Sequence, residues 1–413
     1  MAADPPPPSG PIAYLTGEYP KVSHTFIQRE VAALRQLGLT IHTCTVRRAP
    51  AADVVGPEQQ AEAARTFCIL DAARNPAVPL MALTSACLLS PRRFLSAIAL
   101  AWRTRPPGAR ALLWQAFYFV EAAILARHLR HIGAVHLHNH FANSSGNVAM
   151  LTWALSGIPF SFTMHGPSEF FEAPKWRLDE KVARAAFTVA ISHFCRSQLM
   201  YLSDRSHWDR IHIVHCGIDP AAFAPNPDRP PGQHIAFVGR LDPVKGADLL
   251  LDAVAALRSS HPDLRVSILG DGPHGPRIRQ RAATLSLSDV VTFLGARPSD
   301  DVARLLADAD LLVLPSFAEG VPVVLMEAMA TGLPVIASAI AGIPELVDHG
   351  ASGLLIPPGD LDALTRAIAS LLDDPTRRHV MGQNGRAKVI ADFNDETEAR
   401  RLATLFAAIT PRG

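Results

Sequence analysis

Two cations, Arg240 and Lys245, flank a short loop in the segment FVGRLDPVKGADLLLDAV (237–254), where an apolar run stops at Gly239 and a helical period starts after Gly246. A helix N-terminus offers unpaired backbone N–H groups and the positive end of its dipole, so two cations beside one can hold a diphosphate. The bland alternative is a solvated surface loop. A second segment, LPSFAEGVPVVLMEAMATGLPVIAS (314–338), carries Glu319 and Gly320 in a loop and Glu327 inside a helix that begins near Pro322. One carboxylate can accept hydrogen bonds from two vicinal hydroxyls, the pattern that a ribose or hexose ring presents. At the start of one helix both acids can face the same ligand; otherwise they are solvated surface acids.

A third group of candidates is imidazole-rich. His165 and Gly166 follow the apolar run FSFTM (160–164), and His136, His138 and His140 alternate in VHLHNHFANSSG, so that a strand would place all three on one face. Three imidazoles on a face suggest zinc, but HxHxH alone does not set a ligand geometry and no acid lies nearby in sequence. The expected role of His138 and His140 is therefore to line a cleft or an acceptor, with no metal bound. In YPKVSHTFIQREVAALRQLG (19–38), the hydroxyls and amides of Ser23, His24 and Thr25 can reach a phosphate, or Ser23 or Thr25 can cap a helix.

These side chains need a scaffold, and the rest of the sequence describes one. Short apolar runs alternate with longer segments of helical period, the pattern of parallel sheets with crossover helices. Strands are expected at IAYLT (12–16), TIHTCTV (40–46), AVHLHN (134–139), FSFTM (160–164), FTVAIS (187–192) and IHIVH (211–215). A second set follows at IAFVG (235–239), RVSILG (265–270), VVTFLG (290–295), DLLVLPS (310–316), PVIAS (334–338) and GLLIP (353–357). Proline-rich AFAPNPDRPPGQ (222–233) can form neither helix nor central strand and is expected to be the linker. The expected organisation is an α/β chain of two Rossmann-like domains, 1–222 and 234–394, joined by residues 223–233, with a helix in 395–413 packing back on the first. Ligands of such sheets bind outside the carboxyl ends of the strands, which points to a cleft between two facing domains.

Composition narrows the function classes. A formal net charge of +1 gives no global attraction to nucleic acid, so any anion must be held by local clusters. The five cysteines form no CxxC pair, which indicates neither a disulfide framework nor a zinc ribbon and fits a reducing cytoplasm. The start MAADPPPPSGPIAYLTG lacks the basic, then apolar, order of a secretory signal. Residues 75–130 form a basic, apolar insertion: Arg92, Arg93, Arg103, Arg105, Arg110, Arg127 and Arg130 face a single acid, Glu121. It can meet an anionic membrane surface or a lipid-linked acceptor, or its arginines are merely solvated. Its apolar stretch ALLWQAFYFVEAAILAR is shorter than the ~20 residues that cross a bilayer, so no transmembrane helix is expected.

Residues 234–360 resemble the donor domain of the retaining glycosyltransferases of family 4, which have the GT-B architecture of two facing Rossmann domains. The motifs are VGRLDPVKG, LGDGP, EGVPVVLMEAMATGLPVIAS, AGIPELV and GLLIPPGD, in order. The resemblance implies that Arg240 and Lys245 bind the donor diphosphate, Glu327 the nucleotide ribose, and Glu319 with Gly320, Val321 and Pro322 the donor sugar. It further implies that Gly239 belongs to the donor-binding set, that backbone near Leu294 and Gly295 faces the base, and that His165 lies near the transferred sugar. Over 11–222 the likeness is looser, and YPKVSHTFIQREVAALRQLG resembles a branch that builds bacterial exopolysaccharides such as colanic acid. That segment lacks the family's usual double-glycine loop, so Ser23, His24 and Thr25 stand in its place.

The resemblance implies hexosyl transfer with retention, from a donor such as UDP-glucose, UDP-galactose or GDP-mannose to a glycan or lipid-linked acceptor. Charge builds on the departing diphosphate, and Arg240 with Lys245 can stabilise it, so neither a metal nor another cofactor is expected. The DAD triplet (308–310) precedes a strand and is expected to be structural. The competing readings are a sugar-nucleotide epimerase of the same fold and a nucleotide-sugar-binding protein without turnover. The expected location is the cytoplasm, peripheral on the inner face of the membrane.

Overall fold

A computed structural model describes residues 9–226 and 230–409. The chain divides into two compact units, one formed by 1–215 with 396–413 and the other by 216–395. The division therefore falls ahead of the proline-rich stretch expected as linker, of which residues 227–229 lie outside the described residues. The extreme N-terminal residues 1–8, read above as unlike a secretory signal, also lie outside them, as do residues 410–413.

The first unit is built on a sheet of seven strands: β1 (Ile12–Glu18), β2 (Ile41–Arg47), β3 (Phe67–Cys68), β4 (His136–His140), β5 (Phe160–Met164), β6 (Thr188–Ala190) and β7 (Ile211–Ile213). They pair in parallel in the order β3-β2-β1-β4-β5-β6-β7. Only β3, two residues long, had no counterpart among the expected strands. Helices on both faces bury such a sheet completely, so its strands read as apolar runs. Strand β4 is the exception: all five of its residues are buried although three are histidines. Chain order reverses between β1 and β4, the switch point at which such sheets take ligands.

Helix α1 (Thr25–Gln36) buries Ile27, Val31 and Leu34 against this sheet. Three further helices, α2 (Ala77–Leu89), α3 (Pro91–Thr104) and α4 (Ala109–His131), make up the basic, apolar insertion. Helix α4 corrects one expectation. It runs for 23 residues and is long and apolar enough, by length and composition, to cross a membrane. The sequence reading cut it short because its last turn carries His128, Arg130 and His131, which belong at a helix C-terminus. In its second half Ala122, Ala123, Leu125, Ala126 and Leu129 are buried, whereas Leu112, Leu113, Trp114 and Phe117 of its first half are exposed. Helix α5 (Ser144–Ser156) follows β4, capped by the Asn143 side chain at one end and by left-handed Gly157 (φ 80°) at the other.

The second unit holds six parallel strands, β8 (His234–Val238), β9 (Arg265–Leu269), β10 (Val291–Gly295), β11 (Leu311–Leu314), β12 (Val335–Ser338) and β13 (Gly353–Ile356), in the order β10-β9-β8-β11-β12-β13. Each coincides with an expected apolar run, trimmed at its ends. Its switch point falls between β8 and β11. Helix α6 (Ala247–Leu257) follows β8, and α7 (Val323–Ala330) follows β11. Asp310 of the DAD triplet is buried and accepts the backbone N–H groups of Gly232 and His234, both at 2.9 Å, so its carboxylate ties the start of β8 to β11. The chain then returns to the first unit in α8 (Asp395–Ala407), whose Ala399, Leu402 and Phe406 join Tyr14, Ile27 and Phe187 in one apolar cluster.

Candidate functional site

In the second unit, the loops after β8 and β11 meet. A single tight turn, Pro243–Lys245, is capped by the Asp242 side chain, and Val244 O accepts the N–H of Phe317 at 2.7 Å. Gly246 then takes a left-handed conformation (φ 70°) to start α6, and a Cβ there would lie 2.1 Å from the carbonyl oxygen of Pro315. Only glycine lets the two loops approach this closely. The approach brings Lys245 Nζ to 2.6 Å from Glu319 Oε1. Arg240, 65% exposed, reaches across the same loop to Asp242 at 2.9 Å.

Glu319 and Glu327 are both buried, which removes the alternative of solvated surface acids. Glu319 lies within the loop after β11, Pro322 stands at the N-cap position of α7, and Glu327 lies inside the helix. Gly320 is held by its carbonyl, which accepts the N–H of Gly342 at 3.1 Å, and Val321 is buried. Gly239 stands just beyond β8, with Lys245 carbons 3.8 Å from the site of an added Cβ. The carbonyls of Leu294 and Gly295, expected to face a base, already accept hydrogen bonds from Arg297 Nε (3.0 Å) and Gly270 N (2.9 Å).

In the first unit the structure collects the imidazoles. Ser161 Oγ lies 2.7 Å from both His136 Nε2 and His138 Nδ1, and Thr163 Oγ1 lies 2.9 Å from His138 Nε2. His140 Nδ1 is 2.8 Å from His165 Nε2, beyond the end of β5. Burial pushes His136 down to about 3 and, with neighbouring rings adding to it, holds His138 and His165 well below the usual histidine range. All three are neutral at pH 7. His24 is half-buried, and desolvation pushes it down to about 4, its Nδ1 being 3.3 Å from the Glu18 carbonyl oxygen. Ser23 is exposed in a turn that ends at His24, and α1 begins at Thr25 with no side-chain cap, so neither Ser23 nor Thr25 caps it.

Sequence reasoning missed Glu30 because it comes from α1, far from the histidines along the chain. Its carboxylate accepts the Tyr14 hydroxyl at 2.9 Å and lies 3.2 Å from His140 Nε2. Glu30, His138 and His140 offer ligand atoms all within 4.8 Å of one another. Both ring nitrogens of His138 have a hydroxyl within hydrogen-bond distance, whereas His140 Nε2 is buried without one. Also unforeseen is a cavity of about 610 Å³ at the carboxyl ends of β1 and β2, lined by Arg47, Trp114, Tyr118, Glu121 and Asn147. Glu121 Oε2 is buried without a hydrogen-bond partner. Burial pushes its carboxyl up to about 7, an effect partly offset by Arg47. Aromatic faces beside a few convergent polar groups suit a sugar ring.

Comparison with known proteins assigns both halves. Residues 24–222 match the profile "Glycosyltransferase Family 4" and residues 221–388 match "Glycosyl transferases group 1". Over 310 residues the chain is 32% identical to D-inositol 3-phosphate glycosyltransferase of Corynebacterium efficiens, covering 66% of this chain and 71% of that one. Over 211 residues it is 38% identical to the colanic acid biosynthesis glycosyltransferase WcaL of Escherichia coli K12, covering 49% of this chain and 52% of that one. The match thus spans about half the length of the colanic acid relative. Anabaena Alr3699/HepE, solved in complex with UDP-glucose, superposes with a TM-score of 0.73 at 18% identity, covering 97% of this chain and 100% of that one, a likeness of fold.

Proposed function

Because this chain belongs to glycosyltransferase family 4, we propose that it transfers a hexose from a nucleotide diphosphate sugar to a glycan or lipid-linked acceptor, with retention, in the synthesis of a bacterial surface polysaccharide. Its fold is that of the GT-B enzymes, with two doubly wound units. The observation that carries the proposal is the 2.6 Å pair of Lys245 and Glu319, which joins the two loops at the start of α6. A diphosphate at that helix start competes for Lys245 and so releases Glu319 to accept the hydroxyls of the donor sugar. Arg240 and Lys245 stabilise the charge that builds on the leaving diphosphate, while Glu327 holds the ribose. A leaving-group oxygen takes the acceptor proton on the front face, so no protein base is needed. His165 belongs near the transferred sugar, and the cavity beside Glu121 is the seat of the acceptor.

The proposal also places the protein at the inner face of the membrane, through α2 to α4. Leu88, Leu89, Leu95, Trp102 and Leu113 are exposed there among arginines, and Arg105 stacks over Trp102 at 3.5 Å from the ring centroid. The test is nucleotide release from UDP-glucose, UDP-galactose and GDP-mannose, with and without a lipid-linked acceptor extract, before and after EDTA. Acceptor-dependent release that survives chelation is the expected result. Release without any acceptor product, a change of sugar configuration on the nucleotide, or binding with no turnover would each replace the proposal with hydrolysis, epimerisation or a binding role. Loss on chelation, restored by magnesium or manganese, would overturn the metal-free mechanism.

A further inference from the structure

Helix α3, in the first unit, turns two different faces to solvent. Leu95, Ile98 and Trp102, spaced i, i+3 and i+7, are 66%, 45% and 57% exposed along one of them. On the adjoining face, Arg93, Ser96 and Arg103 form one side of a pocket of about 350 Å³, closed by Trp153 of α5 and by Arg184 at the end of the helix Leu178–Arg184. Ala97, Leu100, Ala101 and Thr104 bury the side behind, which fixes the direction of both faces.

Three guanidiniums line this pocket, with no carboxylate in its wall among the described residues. The acid beside it, Glu180, is shared: Arg103 lies 3.2 Å and Arg177 3.0 Å from its oxygens, and Arg184 pairs with it as well. Arg93 makes no ion pair among the described residues. Its guanidinium rests against Gly157 at the end of α5, where an added Cβ would lie 2.8 Å from Cζ. Burial lowers Arg184 from the usual arginine range; Glu180 opposes this, and Arg103 and Arg177 lower it further. The pocket thus gathers more positive charge than Glu180 balances, on planar N–H forks that match phosphate oxygens.

Resting on the placement of α2 to α4 at a membrane, we propose that this pocket binds the phosphodiester headgroup of an acidic phospholipid. Helix α3 then lies in the interfacial plane, with Leu95, Ile98 and Trp102 at the acyl boundary and the arginines, one step round the helix, at headgroup depth. The guanidiniums donate to the phosphate oxygens, and the Ser96 hydroxyl is available to the same group. A free phosphate would make no use of the exposed apolar row beside the pocket, whereas a lipid uses both faces at once. Diffuse attraction draws in any anionic surface, but a pocket saturates with one headgroup.

Calorimetric titration of the full chain with dihexanoyl phosphatidylglycerol below its micellar concentration, at about 0.15 M salt, tests the pocket apart from any bilayer. Saturable one-to-one binding is expected, with dihexanoyl phosphatidylcholine and inorganic phosphate each weaker by roughly tenfold or more. Phosphate binding as tightly as the lipid would make this a free-anion site and overturn the assignment, as would the absence of saturable binding. Arg93→Gln with Arg103→Gln should weaken the lipid roughly tenfold or more. Arg92→Gln with Arg127→Gln removes the same charge from exposed positions of the same insertion and should change it by no more than about twofold. Thermal melts check that both variants fold, and equal losses in the two would reduce the site to diffuse attraction. Cosedimentation with vesicles of phosphatidylcholine and phosphatidylglycerol runs alongside. If the wild-type protein ignores them, the membrane placement fails, while the titration with monomeric lipid still decides the pocket.

Discussion

Lys245 and Glu327 act at different stages of the proposed reaction, and their substitutions should fail differently. Charge on the diphosphate grows toward the transition state, so Lys245→Ala should chiefly lower kcat, by about 2–4 kcal/mol in barrier, as removal of an oxyanion-stabilising group does. Ribose hydroxyls hardly change during reaction, so Glu327→Gln should chiefly raise the donor KM. Steady-state kinetics on both variants checks this, and equal kcat losses with unchanged donor affinity would move Glu327 toward the anomeric carbon. Glu121 gives a test in stability. Its folded pKa, about 7, lies above the ordinary value of 4.5, so the folded state resists its ionisation. Well below pH 4.5 the group is neutral in both states and costs nothing; the cost grows between pH 4.5 and about 7 and levels off above that, at roughly 3 kcal/mol. Glu121→Gln should therefore raise Tm at pH 8 and leave it nearly unchanged at pH 4.5, which paired thermal melts will show. Arg240, Lys245 and Glu319 were legible in the sequence because their motifs are local. Glu30 and the cavity around Glu121 were not, since each joins residues that only the fold brings together.

Among the elements, strands were the most legible. A strand buried on both faces must be an apolar run, and twelve of the expected runs became strands, whereas β3 is too short to leave a pattern. Helix ends were less legible, because the charged last turn of α4 hid its full length. The start of α6 depends on Gly246, whose left-handed backbone and contact with Pro315 leave no room for a Cβ. Gly246→Ala should push the two loops apart, break the Lys245–Glu319 pair and weaken nucleotide binding at least as much as Lys245→Ala; a thermal-shift titration with UDP or GDP measures it. For α2 to α4, cosedimentation with anionic vesicles is the expected outcome. It should weaken with salt and with Arg92→Glu, at about 1 kcal/mol for each arginine near the surface, and also with Leu88→Ser plus Leu89→Ser. Binding indifferent to lipid charge, salt and all three substitutions would leave these helices as scaffold only.

At the scale of the whole molecule, the sequence announced two doubly wound units through two separate series of apolar runs, but it misplaced the passage between them. Proline content marks where regular structure stops, while the units change at residues 215 and 216, where packing changes. Packing is a property of contacts far apart in sequence, so composition could not locate it. The return of α8 to the first unit has a further consequence for how the protein is made. Residues 216–395 are inserted, in sequence, between two parts of one core, so the ribosome completes the second unit before it delivers Leu402 and Phe406 to the first. Until then Tyr14, Phe187 and the neighbouring histidines lack one wall. A nascent chain halted before residue 395 should therefore engage chaperones and sediment as aggregate, whereas a few more seconds of translation would close the core.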